Sequence, residues 1–229
     1  MSEPPPDNQR GLAWLATFTA LIVVAAFVAG KAARDAIFLS SFKVTSLPLF
    51  VGISAIASLP IVLVIGKLMT RFGPGRLMVL FNLVSAAAVA VEWALLSRYP
   101  QPAAIAIFFH LSTMGAVLVS GFWSIVNERF DVQTAKRHIG RIGMGATLGG
   151  ILGGVIAERT AAYLPSDDIL LVLAGMQLCA AGALMLFRRP PLSVPTDVKE
   201  GTWSALRVVT KSALLRNLAI VVVLGAVAA

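Results

Sequence analysis

The sequence predicts an all-α fold, a polytopic bundle of transmembrane helices, and two observations carry that prediction. Of its 229 residues 58% are hydrophobic and 13% charged, against roughly 45–50% and about 25% in soluble domains. The apolar residues also lie in long unbroken runs. A membrane barrel would alternate over roughly ten-residue strands, whereas a helix needs about 20 apolar residues in succession to span a bilayer.

The runs, in order, are Gly11 to about Ser40, Leu47 to Met69, Leu77 to Leu96, Ala103 to Asn127, Ile142 to Leu164, Ile169 to Phe187, and a last one from Ala213 to Ala229. Turn chemistry separates them: Phe72-Gly-Pro-Gly75, Tyr99-Pro-Gln-Pro102, Leu164-Pro-Ser-Asp-Asp168 and Arg188-Arg-Pro-Pro191. The expected organisation is a cytoplasmic tail over 1–10, a six-helix bundle over 11–188, a cytoplasmic linker over 189–212 and the start of a seventh helix over 213–229. The tail has one basic residue, Arg10, and the run behind it exceeds the 7–15 residues of a signal peptide's apolar region, so it reads as a retained span.

The net charge of +8 reports topology. Arg10, Lys67, Arg71, Arg76, Arg129, Lys136, Arg137, Arg141, Arg188, Arg189, Lys199, Arg207, Lys211 and Arg216 all fall on one side. The other side holds Lys43, Arg98 and Arg159, diluted by Glu158, Asp167 and Asp168. By the positive-inside rule the N-terminus is cytoplasmic, in a cell (inner) membrane, and nucleic acid is not the expected partner. The lone Cys179 and the isolated His110 and His138 offer neither a disulfide framework nor a metal set, and no cofactor or enzyme chemistry is expected.

Charge inside the first run is the main functional clue. Lys31, Arg34 and Asp35 fall at i, i+3 and i+4, on one helical face, with Asp35 placed to neutralise Lys31. Charge at membrane depth persists chiefly where a cavity, partner or substrate needs it. If the span instead ends at Gly30, the cluster anchors the helix at the interface and its cations snorkel. The apolar Ala36-Ile-Phe-Leu39 beyond it favours the interior.

On the fourth helix His110, Thr113, Ser120, Ser124 and Asn127 recur at steps of three, seven, four and three. Such a stripe lines either a helix contact or a water-filled cavity. Glu92, late in the third helix, is either a buried partner of the charged cluster or an interfacial carboxylate beside Trp93 and Tyr99; the interface is the favoured place. On the fifth helix Gly145, Gly149 and Gly153 form a small-xxx-small stripe, a close-packing face that lets a neighbour pivot or slide. Pro60 is placed to kink the second helix.

Gly66-Lys-Leu-Met-Thr-Arg-Phe-Gly-Pro-Gly-Arg76 resembles the loop between helices two and three of the major facilitator superfamily. Gly66, Arg71, Gly73 and Arg76 match its pattern, and Thr70 stands where the family usually has Asp. Phe122-Trp123, Asn127-Glu128, Ala135-Lys136-Arg137, Gly143 and Gly145-Ala146 resemble the helix-four-to-five segment of the nucleotide (ATP/ADP) antiporter family of bacteria and plastids, within that superfamily. Lys31 and Arg34-Asp35 resemble the end of that family's first helix. Departures are Arg34 for a Lys, Thr147 for an Asn, and no acidic residue around His110 and Leu111.

The resemblance implies the N-terminal six-helix half of a twelve-helix secondary transporter plus part of a seventh helix, with a C-terminal half expected in the full-length protein. It implies a small anionic solute, with nucleotide exchange as one form. Lys31, Arg34, Asp35, His110, Ser120, Ser124 and Asn127 would line the substrate site, and Gly66, Arg71, Gly73, Arg76, Glu128, Lys136 and Arg137 the gating loops. The other reading is a non-transporting membrane anchor or interaction module of the same fold.

Overall fold

The computed structural model describes residues 6–130, 132–187 and Asn217. The chain divides into two units, Met1–Leu192 and Ser193–Ala229. The expected linker and seventh helix lie outside the described residues except Asn217, which is helical and exposed.

Among the described residues the first unit holds six α-helices: α1 (Pro6–Ser41), α2 (Leu47–Phe72), α3 (Pro74–Leu96), α4 (Pro100–Arg129), α5 (Val132–Tyr163) and α6 (Ile169–Phe187). Single 3₁₀ turns, Val44–Ser46 and Ser166–Asp168, lead into α2 and α6, and no strand occurs among the described residues. All six helices are long and apolar enough to cross a membrane. The chain is thus a multi-pass membrane protein.

Prolines set several boundaries. Pro74 and Pro100 occupy first-turn positions, where their missing N–H breaks no helical bond. Between α2 and α3 the chain reverses at Gly73, whose φ of +77° is the only positive one among the described residues. Its N–H donates to the Met69 carbonyl at 2.9 Å and closes the last turn of α2.

One boundary differs substantially from the sequence expectation. The fifth helix begins at Val132, not Ile142, so Lys136, Arg137 and Arg141 lie on a helical extension of the span. Apolarity marks where a helix enters lipid, and this extension is polar. Arg141 packs its guanidinium over the ring of Trp14 on α1, 5.0 Å from the centroid.

α1 packs against α4, α5 and α6, and α3 against α4 and α6, while α2 lies at the edge with light contacts to α3 and α4. Only Ser54 and Ile65 of α2 are buried. The glycine stripe explains why α5 fits α1 so closely. A methyl at Gly145, Gly149 or Gly153 would overlap the backbone carbonyl of Thr17, Leu21 or Ala25 respectively, so the two helices meet backbone to backbone. Gly52 and Gly66 of α2 face open space.

The core has two parts. One, at the end carrying the basic loops, gathers residues such as Ala16, Met78, Phe122, Val126, Leu184 and Phe187. The other, toward the opposite end, gathers Ala33, Ile37, Val89, Ile107, Leu170 and Leu173. Where they meet lies a small cavity, large enough for a single water molecule, lined by Gly30, Gly115, Leu118, Leu173, Asn82 and Gln177 among others.

Candidate anion site and its polar surroundings

The charged cluster of α1 is organised around Arg34. Its Nε and Nη2 both reach Asp35 Oδ1, at 2.8 and 2.7 Å, and its Nη1 donates to Ser112 Oγ on α4 at 2.9 Å. The guanidinium also lies over the Phe108 ring, 4.8 Å from the centroid. Four restraints from two helices hold the group in place, and the planar fork is what allows them together.

Asp35 therefore neutralises Arg34, and not Lys31 as expected. A guanidinium one residue away offers two donors to a single carboxylate oxygen, which one ammonium a helical turn back cannot match. Lys31 is exposed and makes no ion pair among the described residues. Arg34 is only 15% exposed at its side chain, Asp35 35%. Ser112 lies twelve residues into α4 from Pro100, about 18 Å along the axis at 1.5 Å per residue. The contact thus sits well inside the span of α4, away from its end.

Phenylalanines close over this site. Phe38 of α1 packs against Phe42, Phe50 and Phe108 at centroid distances of 5.0, 4.8 and 4.8 Å. Phe50 of α2 also approaches Phe109, at 6.1 Å. This aromatic cluster fastens the start of α2 to α1 and α4.

His110 does not join Arg34. It is two residues from Ser112, about 200° around the helix, so it turns toward α3 instead. There its Nδ1 meets both carboxylate oxygens of Glu92 at 3.0 Å and its Nε2 meets Ser85 Oγ at 3.0 Å. Glu92 is 12% exposed at its side chain and pairs with His110, not with the charged cluster of α1. Trp93 beside it does sit at the rim, donating Nε1–H to Asp168 Oδ1 at 3.2 Å.

The rest of the α4 stripe splits in two. Thr113 is buried, whereas Ser120 and Asn127 are exposed and Ser124 is half-buried, its hydroxyl donating to the Ser120 carbonyl at 3.1 Å. Gly66, Arg71, Arg76, Glu128, Lys136 and Arg137 are exposed, and Arg71 lies over Phe72 at 5.4 Å. A stripe on α3 was missed: Asn82, Ser85 and Glu92 recur at steps of three and seven, the same signal that marked α4. Asn82 Nδ2 donates to the Met78 carbonyl at 2.8 Å, and on α6 the buried Gln177 Oε1 has no hydrogen-bond partner.

No family model, no curated protein and no solved structure matches the chain. The chemistry of the site must therefore be read from its own residues. The guanidinium of Arg34 thus lies between α1 and α4, balanced by one carboxylate, and a planar fork of this kind is the group best suited to hold a carboxylate or phosphate.

Proposed function

We propose that the chain is the N-terminal half of a secondary active transporter working by alternating access, with a major-facilitator-like arrangement and a small anion as its solute. The observation that carries this reading is Arg34, held in a half-buried position by Asp35, Ser112 and Phe108. An interfacial anchor would point such a residue outward to water.

The helix contacts support it. Exchanging α1, α2, α3 for α4, α5, α6 leaves the α1–α4 and α3–α6 pairings in place and turns α1–α6 into α4–α3. Two three-helix units of opposite direction, related in this way, are how many secondary transporters are built. The symmetry fails at one pair, since α5 is tight on α1 while α2 is loose beside α4. Beyond the Phe50 cluster α2 touches α4 only lightly, so its movement against α4 would pivot about that aromatic contact.

Nucleotide exchange is the first solute class to test, because the sequence resembles nucleotide antiporters around Lys31, Arg34-Asp35 and the α4–α5 segment. The excess of Lys and Arg on one set of loops favours a cytoplasmic N-terminus, and the cell membrane is the proposed location. The test is flux into proteoliposomes containing the full-length protein, with ATP and ADP offered first, then organic phosphates and carboxylates. Saturable uptake of any of them supports the reading. Absence of uptake for all of them favours the membrane-anchor reading instead.

A further inference from the structure

His110 sits between two partners of different kinds, and their difference is informative. On one side a carboxylate accepts, which fixes a hydrogen on Nδ1. On the other, Ser85 offers a hydroxyl that is donor and acceptor at once. With the imidazole neutral, Ser85 donates to the bare Nε2. With the imidazole protonated, Nε2–H donates to Ser85 and the hydroxyl hydrogen rotates away. In both protonation states each ring nitrogen thus keeps a hydrogen-bond partner without moving any heavy atom.

Further polar residues lie along the same face of α3. Ser85 is 1% exposed, and Asn82, one turn along the same face of α3, is 2% exposed and lines the central cavity. Across that cavity lies Gln177 with its unpartnered oxygen. Glu92, His110, Ser85 and Asn82 therefore make a polar line from near the outer end of α3 to mid-bundle, in surroundings that are otherwise apolar.

We propose that Glu92, His110 and Ser85 form a proton-binding site within the membrane, loading and unloading one proton on His110 Nε2. The balance is simple: the bound state holds imidazolium and carboxylate, neutral overall, and the released state holds imidazole and carboxylate, one negative charge, with the proton passing to water. Few other charges bear on it. α1 contributes the exposed Lys31 together with Arg34 and Asp35, which lie on the opposite side of α4 and are paired to each other, and the turn between α3 and α4 contributes the exposed Arg98. The turn before α6 contributes Asp168, held by Trp93. α6 has no charged residue between Ile169 and Phe187, α2 carries only Lys67 and Arg71 near its far end, and α3 and α4 add only Arg76, Glu128 and Arg129 at their basic ends. The proposal stands whatever solute the protein moves.

Nitrogen-15 NMR of histidine-labelled full-length protein in lipid bilayers tests it without any solute. The His110 signals are assigned by their loss in His110→Gln. Across the pH range in which the protein stays folded, the expected result is reversible conversion of an imidazolium pattern to a neutral one protonated on Nδ1. Glu92→Gln should abolish the exclusive Nδ1–H form, because the amide no longer dictates the tautomer. Ser85→Ala, a small change that spares the ion pair, should keep that tautomer and shift the Nε2 resonance. A His110 spectrum that stays in one protonation state throughout, or a neutral form protonated on Nε2, overturns the proposal.

Discussion

Asp35 grips Arg34 through a single oxygen, Oδ1, which accepts from Nε at 2.8 Å and meets Nη2 at 2.7 Å. On the proposed reading, an incoming anion would compete with Asp35 and with Ser112 Oγ for the guanidinium donors. Asp35→Asn should accordingly leave Arg34 with a weaker internal competitor. The expected outcome is tighter anion binding with slower release, read as a lower KM and a lower maximal exchange rate in proteoliposomes. A rise in KM would mean that Asp35 orients Arg34 and does not compete with the solute.

The glycine stripe makes a paired prediction. Gly149→Leu drives bulk into the Leu21 backbone, an overpacking that typically costs about 1–3 kcal/mol. It should lower thermal stability and slow transport more than it reduces membrane insertion. Gly150→Ala, whose added methyl would meet only Val28 at 4.0 Å, should do neither. Equal effects in thermal unfolding would show that the α1–α5 contact is not the site of the damage.

Gly73 and Gly66 give an opposed pair at the end of α2. At φ +77° a side chain at position 73 is strained, at a cost of about 1–3 kcal/mol, so Gly73→Ala should lower the unfolding temperature. Gly66 lies inside α2 with open space around it, and Gly66→Ala should stabilise by roughly 0.5–1 kcal/mol. Thermal unfolding of both variants in the same detergent checks the signs.

Phe50 fastens α2 over the Arg34 site. Phe50→Ala should loosen that end of α2, so that Ser112→Cys, in a Cys179→Ser background, reacts several-fold faster with a membrane-impermeant thiol reagent added from outside. An unchanged rate would assign the aromatic cluster a packing role only.

Much of this architecture was legible in the sequence, and the failures share a cause. The start of α6 at Ile169 was read to the residue because apolarity begins there, directly after Pro165-Ser-Asp-Asp168. The start of α5 was missed because Lys136, Arg137 and Arg141 end the apolar run while the helix continues. At the site, spacing along α1 put Lys31, Arg34 and Asp35 on one face but could not choose which cation takes the carboxylate. That choice depends on donor geometry and on Ser112, 78 positions away. His110 was grouped with Arg34 because periodicity assigns a face, whereas only packing tells which neighbour the face meets. The α3 stripe of Asn82, Ser85 and Glu92 went unread because it is short and mostly small, and because it acquires meaning only opposite His110.

The most direct test of the central claim is anion exchange by proteoliposomes containing the full-length protein, comparing the wild type with Arg34→Ala, with Arg34→Ala combined with Asp35→Ala, and with Arg34→Lys. The double variant leaves no orphaned carboxylate, so it separates loss of the receptor from a buried unpaired charge. Both alanine variants should insert normally and lose exchange of every anion the wild type moves, and Arg34→Lys should recover it only in part, keeping the charge but not the planar fork. Wild-type exchange rates in the two alanine variants would contradict the account and make the cluster an interfacial anchor.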